Sequence, residues 1–284
     1  MHPRDLAIGA AFAGAIALLA WRARALTPSG AVAAFAVGAL TYASGTLGFT
    51  LVLLAFFVPS VGLSRFGRAR KRELVDIGKY GARDALQVLA NGGVATVCAV
   101  AWAFTHDPRW AFAFAGAYAA ATADTWATEI GTLARHRPRS ILTLRPIAAG
   151  LSGGITLTGT LAEIGGAVWM GVAGLAGIGL AYVLGTFDYG MSYPNAYYFP
   201  APPILMLALV AIPAGGIVGA TLDSILGATL QELRKCDACE RECEADPHAC
   251  GLPTRRVRGL PGFSNDAVNL LATAAGAAIA FVIA

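Results

Sequence analysis

Charged residues are scarce in this sequence. They make up 13% of the 284 residues, whereas hydrophobic residues make up 56%. A soluble domain usually carries about 25% charged residues, because positions that face water need polar groups. The scarcity therefore excludes an ordinary soluble domain and favours a chain whose surface faces lipid.

Charge is missing altogether from four long stretches, which are residues 25–64, 85–105, 164–187 and 189–222. About 20 mainly apolar residues cross a bilayer as a helix, since backbone groups in lipid must be hydrogen-bonded internally. The alternation of polar and apolar positions that a membrane β-barrel needs is also lacking. The sequence therefore predicts an all-α, polytopic membrane helix bundle that forms a single domain over residues 1–284.

We predict about eight spans, at residues 5–21, 29–44, 46–63, 84–105, 109–130, 157–185, 203–230 and 265–283. The first stretch is short, and the apolar core of a signal peptide is the alternative. Against that alternative, its leading flank is not strongly basic and Arg22 and Arg24 follow it. The stretch 157–185 is long and rich in glycine. A half-helix followed by a full span is its alternative, and that arrangement would reverse the membrane orientation of every later segment.

Basic residues fall in alternate connections of this pattern, at Arg22 and Arg24, at Arg65, Arg68, Arg70, Lys71, Arg72, Lys79 and Arg83, at Arg135, Arg137, Arg139 and Arg145, and at Arg234, Lys235, Arg241, Arg255, Arg256 and Arg258. Loops rich in Lys and Arg stay cytoplasmic. The pattern predicts a bacterial or archaeal cell-membrane protein with both termini outside. The tyrosine-rich stretch 188–198 is then an exterior cap at the membrane interface.

Polar side chains recur near the span ends that this topology places on the cytoplasmic side. They are Asp84, Gln87 and Asn91 in the fourth span, Asp124, Thr128 and Glu129 in the fifth, Asp223 in the seventh, and Asn265, Asp266 and Asn269 in the eighth. Such groups are costly inside a membrane and usually functional. Helix capping and pairing with loop arginines are the alternatives for any single residue.

Several carboxylates at one depth indicate a Mg²⁺ site, because Mg²⁺ prefers oxygen ligands and bridges carboxylates to substrate phosphates. We predict Asp124, Glu129 and Asp223 as its ligands, and Asp84 and Asp266 as further catalytic candidates. Residues 150–160 are rich in glycine and hydroxyl groups, and they precede the sixth span. Such a loop suits an anion cradle, although the lysine of a Walker A motif is missing and a flexible turn is the alternative.

Candidate phosphate-binding and substrate-binding residues follow from the same reasoning. Arginine forks suit phosphate, although the positive-inside bias alone explains most of the loop arginines. The candidates are Arg65, Arg83, Gln87, Asn91, Thr128, Ser152, Gly153, Gly154, Thr156, Asn265 and Asn269. Among the arginines we favour Arg83, because it adjoins the polar stripe of the fourth span.

Four of the five cysteines lie in a polar insert at residues 232–262. Their spacing resembles a zinc knuckle and predicts a structural Zn²⁺ site at Cys236, Cys239, His248 and Cys250, with Cys243 as the spare thiol. Free thiols or a disulfide are the alternatives, and disulfides are rare on the reducing cytoplasmic side. The fifth cysteine, Cys98, lies inside a span and is predicted to pack in the core.

The motifs resemble those of the membrane family of plant phytyl-phosphate kinase, long catalogued as a domain of unknown function. The resemblance rests on residues 64–67, 83–92, 123–131, 152–160, 223–231 and 265–269, which follow in order along nearly the whole chain. The segments from Asp124 to Gly131 and from Asp223 to Ala228 are the most specific of these. The cysteine insert looks like that of microbial members, which fits an accessory role.

The resemblance implies an Mg²⁺-dependent lipid kinase that transfers a nucleotide γ-phosphate to a prenyl monophosphate such as phytyl or geranylgeranyl phosphate. CTP or ATP is the implied donor, with CTP favoured in the plant enzyme. The expected partners are the nucleotide, the prenyl phosphate and the bilayer, with no nucleic acid. A transporter, a docking scaffold, a prenol kinase and a lipid cytidylyltransferase are the alternatives, and the oligomeric state is left open.

Overall fold

The computed structural model describes residues 2–66, 81–134, 136–185 and 202–284. In its sixth helix, side chains are described from residue 206 onwards. These residues form seven helices: α1 (Pro3–Arg22), α2 (Pro28–Arg65), α3 (Ala85–Thr105), α4 (Arg109–Gly131), α5 (Leu157–Val183), α6 (Pro202–Thr229) and α7 (Asn265–Ile283). They also form five short strands: β1 (Arg139–Ser140), β2 (Gly154–Ile155), β3 (Leu233–Cys236), β4 (Arg241–Cys243) and β5 (Arg255–Arg258). The predicted helical class is confirmed.

Within the described residues, six helices are long and apolar enough to cross a membrane, and only α4 is missing from that set. α4 is the central helix, because it contacts α2, α3, α5, α6 and α7 and is buried throughout from Ala111 to Ala123. A helix surrounded by protein can carry polar residues that lipid would not tolerate. Helices that qualify as spans by length and composition number fewer than the predicted eight among the described residues, so the count of eight stays a prediction.

α2 turns back on itself at Gly45 and Thr46, which both leave helical geometry. A straight helix of 38 residues would be about 57 Å long. The Arg65 guanidinium at its far end nevertheless donates a hydrogen bond of 2.7 Å to the Ala23 carbonyl, just before α2 begins. The two halves therefore run antiparallel. The turn needs a small residue, because a Cβ on Gly45 would lie 2.1 Å from Phe49 Cγ.

Small residues hold the helices close together around α4. A Cβ on Gly116 of α4 would lie 2.6 Å from the Gly276 carbonyl oxygen of α7. A Cβ on Gly219 of α6 would lie 2.4 Å from the Ala120 Cβ of α4. Without a hydrophobic driving force between helices in lipid, such close packing is what stabilises a membrane bundle.

One end of the bundle gathers the polar residues, and we call it the polar end. Two hydrogen bonds lie there, from the Thr27 amide to the Arg83 carbonyl (3.0 Å) and from the Ser64 hydroxyl to Glu129 Oε1 (2.7 Å). Gly131 also packs closely on Gly159, and Gly227 on Ser152. They bring together the starts of α2, α3 and α5 and the ends of α2, α4 and α6. At the opposite end, Trp110 packs on Phe281 with ring centroids 4.7 Å apart.

α5 is one uninterrupted helix of 27 residues, so the half-helix alternative for residues 157–185 is wrong over the described part. Thr156 caps its start by accepting a hydrogen bond from the Gly159 amide (2.9 Å). The predicted interfacial cap at 188–198 lies outside the described residues. So do Arg68, Arg70, Lys71, Arg72, Lys79 and Arg135 of the basic loops.

Residues 232–262, which we call the insert, form an antiparallel sheet in the order β4-β3-β5 between α6 and α7. Backbone hydrogen bonds of 2.9 Å close its base, from Glu232 to Phe263 and from Leu260 to Leu230. Arg234 ties the sheet to its loops, since its guanidinium donates to Glu232, to Asp246 Oδ2 (2.7 Å) and to the Thr254 carbonyl (2.8 Å).

Candidate functional site

Two carboxylates from neighbouring helices face each other near the polar end. Asp124 lies in the last two turns of α4 and Asp223 in the last two turns of α6, and their charges repel. Among the described residues, Asp223 Oδ2 is buried without a hydrogen-bond partner. A buried carboxylate oxygen without a donor is costly, so it marks a place where a cation or a ligand donor fits.

Glu163 joins this pair from α5, and the sequence analysis did not single it out. Its carboxylate repels that of Asp124, and it accepts a hydrogen bond of 3.2 Å from the Thr221 hydroxyl of α6. The sequence does contain an indication, because a carboxylate about two turns inside a predicted span is costly in lipid, as are the carboxylates of the other helices. Its position directly before the uncharged run 164–187 makes it look like the end of a loop.

Glu129 and Arg83 extend the site towards α3. The Glu129 carboxylate repels Asp124 and accepts a hydrogen bond of 2.7 Å from the Ser64 hydroxyl. It also attracts the Arg83 guanidinium, which lies in the segment just before α3. Burial lowers the pKa of Arg83 from its ordinary value, and the charge of Glu129 opposes that shift. A buried guanidinium needs anionic partners, and a substrate phosphate would be a second one.

Asp84 and Gln87 form the capping box of α3. The Asp84 carboxylate accepts a hydrogen bond from the backbone amide of Gln87 (2.9 Å). The side-chain oxygen of Gln87 accepts one from the backbone amide of Asp84 (3.2 Å). Asn91 donates to the Gln87 carbonyl one turn further on (2.9 Å). Asp84 thus fulfils the capping role left open for it, and its catalytic role stays a prediction.

The remaining candidates on helices lie in other surroundings at the same end of the bundle. Arg65 donates to the Ala23 carbonyl and so joins α1 to the end of α2. Asp266 is buried in the first turn of α7, where a negative charge also suits the helix dipole. Thr128 and Asn265 are exposed, and Asn269 is half-buried.

The glycine loop, residues 150–160, is held in place by its own contacts. Gly153 has a φ of +81°, and a Cβ there would lie 2.5 Å from the Ala228 Cβ, so it permits close packing on α6. Gly154 pairs with Ser140 across the β1–β2 ladder. Thr156 is the cap of α5. Phosphate binding by these three residues stays a prediction.

Ser152 of the glycine loop already binds a carboxylate from the insert. Glu244 accepts hydrogen bonds from the Ser152 amide (3.2 Å) and hydroxyl (2.6 Å). Burial raises the pKa of Glu244 above its ordinary value, and the two bonds from Ser152 oppose that shift. Its charge repels Asp223 and is attracted by Arg258, which donates to the Gly227 carbonyl (3.1 Å).

We call Asp124, Glu129, Glu163, Asp223 and Glu244 the carboxylate cluster. Glu244 and Arg258 reach it from a part of the chain that sequence reasoning treated only as a metal knuckle. No local pattern could have revealed them, because their approach depends on how the insert folds back onto α6.

A groove opens beside the cluster between α1, both halves of α2 and the start of α3. Its cavity volume is about 90 Å³, so it is a narrow cleft. Its walls are mainly apolar, including Ala17, Phe57 and Val88. At the polar end it is lined by Arg83, Gln87 and Asn91.

The four predicted zinc ligands of the insert lie together. One ligand atom from each of Cys236, Cys239, His248 and Cys250 lies within 4.8 Å of all the others. Cys243 instead directs its Sγ to the Ala245 carbonyl (3.6 Å). Cys98 is buried in the apolar core around α4, as predicted.

Within the described residues, this is the only group of three or more such ligand atoms that is so closely spaced. Asp124, Glu129 and Asp223 therefore do not form a ready three-ligand metal site. Mg²⁺ usually takes only one or two carboxylates and completes its shell with water and phosphate oxygens. Asp124 and Asp223, with the unpartnered Asp223 oxygen, fit that smaller requirement.

Comparison with known proteins covers nearly the whole chain. Residues 11–277 match the family described as integral membrane protein DUF92. Protein PGR of Arabidopsis thaliana is 29% identical over 271 residues, which cover 90% of this chain and 88% of that protein. The predicted resemblance to the membrane family of plant phytyl-phosphate kinase is confirmed.

Two relatives are prokaryotic. An uncharacterised membrane protein of Methanocaldococcus jannaschii is 30% identical over 218 residues, 76% of this chain and 79% of its own. An uncharacterised membrane protein of Synechocystis is 30% identical over 212 residues, 72% of both chains. No solved structure matches the chain. None of the three names states an activity.

Proposed function

Because the chain belongs to the DUF92 family of integral membrane proteins, we propose that it is a prenyl-phosphate kinase of the phytyl-phosphate kinase type. It would transfer the γ-phosphate of CTP or ATP to an isoprenoid monophosphate and give the diphosphate. One observation carries this proposal. The apolar groove ends at Arg83, Gln87 and Asn91, and Arg83 is coupled through Glu129 to the carboxylate cluster.

The groove suits a lipid with a phosphate head. A prenyl chain would lie against its apolar walls, and the phosphate would meet the Arg83 guanidinium, with Asn91 beside it. Glu129 orients Arg83 by its charge, and Ser64 in turn holds Glu129. A guanidinium fixed in this way would neutralise the charge of the acceptor phosphate and orient one phosphate oxygen towards the cluster.

Asp124 and Asp223 are the residues that would hold Mg²⁺ here, with Glu163 or Glu129 near enough to support them. When bound, the metal neutralises charge on the nucleotide phosphates and on the transferring group. In the transfer itself, an oxygen of the acceptor phosphate bonds to the γ-phosphorus while the bond to the β-oxygen breaks. The nucleoside diphosphate leaves. The acceptor is already anionic, so the chain need not supply a strong base.

The predicted orientation supports the same proposal. A cytoplasmic polar end, as the distribution of Lys and Arg predicts, would face the nucleotide pool. Both termini would then lie outside. The nucleotide phosphates would approach beside the glycine loop, where the dipole at the start of α5 favours anions.

The proposal is tested with the purified full chain in nanodiscs, supplied with geranylgeranyl phosphate and radiolabelled γ-phosphate of CTP or ATP. We expect an Mg²⁺-dependent labelled diphosphate, and a loss of activity of at least 100-fold in Asp124→Asn and Asp223→Asn. Asp107→Asn, which removes a carboxylate near Arg109 at the opposite end, is the matched control and should keep full activity. Full activity of both cluster variants would refute the metal assignment.

The same assay separates the related activities. A prenol kinase would phosphorylate geranylgeraniol itself. A cytidylyltransferase would release pyrophosphate from CTP and transfer CMP to the lipid phosphate. Labelled diphosphate from the monophosphate alone is the outcome that the groove and Arg83 lead us to expect. Absence of any product from prenyl phosphates with either nucleotide would overturn the proposed function.

A further inference from the structure

Glu244 is carried to the glycine loop by the strand that ends just before it. β4 ends at Cys243, and the Glu244 carboxylate accepts both the amide and the hydroxyl hydrogen of Ser152. Arg258, directly at the end of β5, fastens the same sheet to the Gly227 carbonyl of α6. The insert therefore touches two sides of the candidate site, and its own folding decides whether Glu244 stays there.

The insert has little apolar core with which to maintain that fold. β5 is exposed along its length, and the buried positions of the other two strands are Leu233, Cys236 and Cys243. A sheet this small usually needs a metal or disulfides in place of a core.

The cysteine and histidine cluster lies where it would stabilise this sheet. Cys236 ends β3 and is paired with Arg241 at the start of β4. Its Sγ lies 3.7 Å from that of Cys250, and His248 Nδ1 lies 3.0 Å from the same sulfur. Three sulfurs and one imidazole form a closed tetrahedral set that suits Zn²⁺ in a structural role.

We propose that one Zn²⁺ bound by Cys236, Cys239, His248 and Cys250 holds Glu244 on Ser152. The insert is then a zinc-dependent positioning element for the glycine loop. Without the metal, the β3–β4 turn loses its cross-link, and the carboxylate leaves both Ser152 and Asp223. Any effect on catalysis rests on the proposed function, whereas metal content and loop protection do not.

Metal content is the first test. Full-length protein purified without chelator should contain about one zinc per chain by elemental mass spectrometry. Cys250→Ala should lose most of it. Cys243→Ala is the matched control, because Cys243 lies in the same sheet but outside the ligand set, and it should keep the metal. Absence of zinc from the wild-type chain, or equal zinc in both variants, would overturn the proposal.

Hydrogen exchange at the Ser152 amide is the second test. We expect exchange there to become at least 10-fold faster after zinc is removed by a chelator. Glu244→Ala should give the same increase while keeping its zinc. Peptides with the Thr27 amide, which is bonded to the Arg83 carbonyl at the same end of the bundle, should not change. Unchanged exchange at Ser152 after zinc loss would refute the link between metal and loop.

Kinetics distinguish this inference from the proposed function. If the kinase activity exists, Glu244→Ala should raise the KM for the nucleotide at least 3-fold and change kcat less. Glu244→Gln keeps an acceptor oxygen for Ser152 and should restore much of that KM. If no kinase activity is found, the zinc and exchange results still decide the proposal.

Discussion

Individual residues of the candidate site carry more like charge than a stable apolar interior tolerates. Asp223 lies close enough to Asp124 and Glu244 to be repelled by both, and one of its oxygens is buried without a partner among the described residues. Like charges held this close cost stability, and a bound cation would offset that cost. The cost can be measured.

Asp223→Asn should raise the melting temperature of the metal-free protein by a few degrees, because it removes one of the repelling charges. On the proposed function, millimolar Mg²⁺ should raise the melting temperature of the wild type but not that of Asp223→Asn, since the cation loses a ligand. Differential scanning fluorimetry in detergent, with and without Mg²⁺, measures both effects. Asp107→Asn should respond to Mg²⁺ as the wild type does. A wild-type Mg²⁺ response in Asp223→Asn would contradict the assignment.

At Gly153, the backbone conformation and the packing both favour glycine. Its φ of +81° and the 2.5 Å between an added Cβ and the Ala228 Cβ both oppose a side chain. Gly153→Ala should therefore destabilise the bundle by about 2–3 kcal/mol. Gly62→Ala is the control, because a Cβ there meets no described residue within 4 Å and should be neutral or stabilising in a helix. Thermal unfolding of the two variants decides the matter, and equal melting temperatures would contradict it.

At the scale of elements, the sequence was most informative about single helices. The predicted spans 84–105 and 265–283 match α3 and α7 closely, and the break predicted between residues 44 and 46 coincides with the turn at Gly45 and Thr46. These features depend on local composition and on glycine geometry. Glu244 and Arg258 could not be placed in this way, because their contacts join segments about 90 and 30 residues apart.

The insert offers a pH test at this scale. The Gly262 amide and Arg234 hold the pKa of Glu232 below its ordinary value. The stabilisation they give is complete above the unfolded pKa, about 4.3, and is lost as pH falls through the folded value. Glu232→Gln should therefore exchange amide hydrogens of the insert faster than wild type at neutral pH, and the difference should vanish in strong acid.

Comparing the two proteins at each pH is essential to that test, because zinc ligands also protonate in acid and would loosen the insert in both. Hydrogen exchange over residues 233–258 gives the readout. A difference that persists undiminished below the folded pKa would show that the carboxylate charge is not what stabilises the base of the insert.

At the scale of the whole molecule, the proposed function gives the groove the role of selecting which lipids reach the polar end. The groove walls come mainly from α1, α2 and α3, while the cluster belongs to α4, α5, α6 and the insert. On the proposed function, this division would separate lipid binding from phosphate chemistry. Chain-length preference should consequently be altered without touching the carboxylates.

Ala34→Phe should narrow the groove and raise the KM for geranylgeranyl phosphate about 10-fold. Dimethylallyl phosphate, whose chain is much shorter, should be affected less. Val32→Phe on the same helix is the control, because Val32 is 70% exposed and does not line the groove. Equal losses with both acceptors would mean that the chain lies elsewhere.

α4 is buried among other helices along the 13 consecutive residues from Ala111 to Ala123. Bilayers differ in thickness, and peripheral helices accommodate the difference by tilting. A helix in contact with five others is shielded from such adjustments, so we expect the depth of Asp124 to depend little on the thickness of the surrounding membrane.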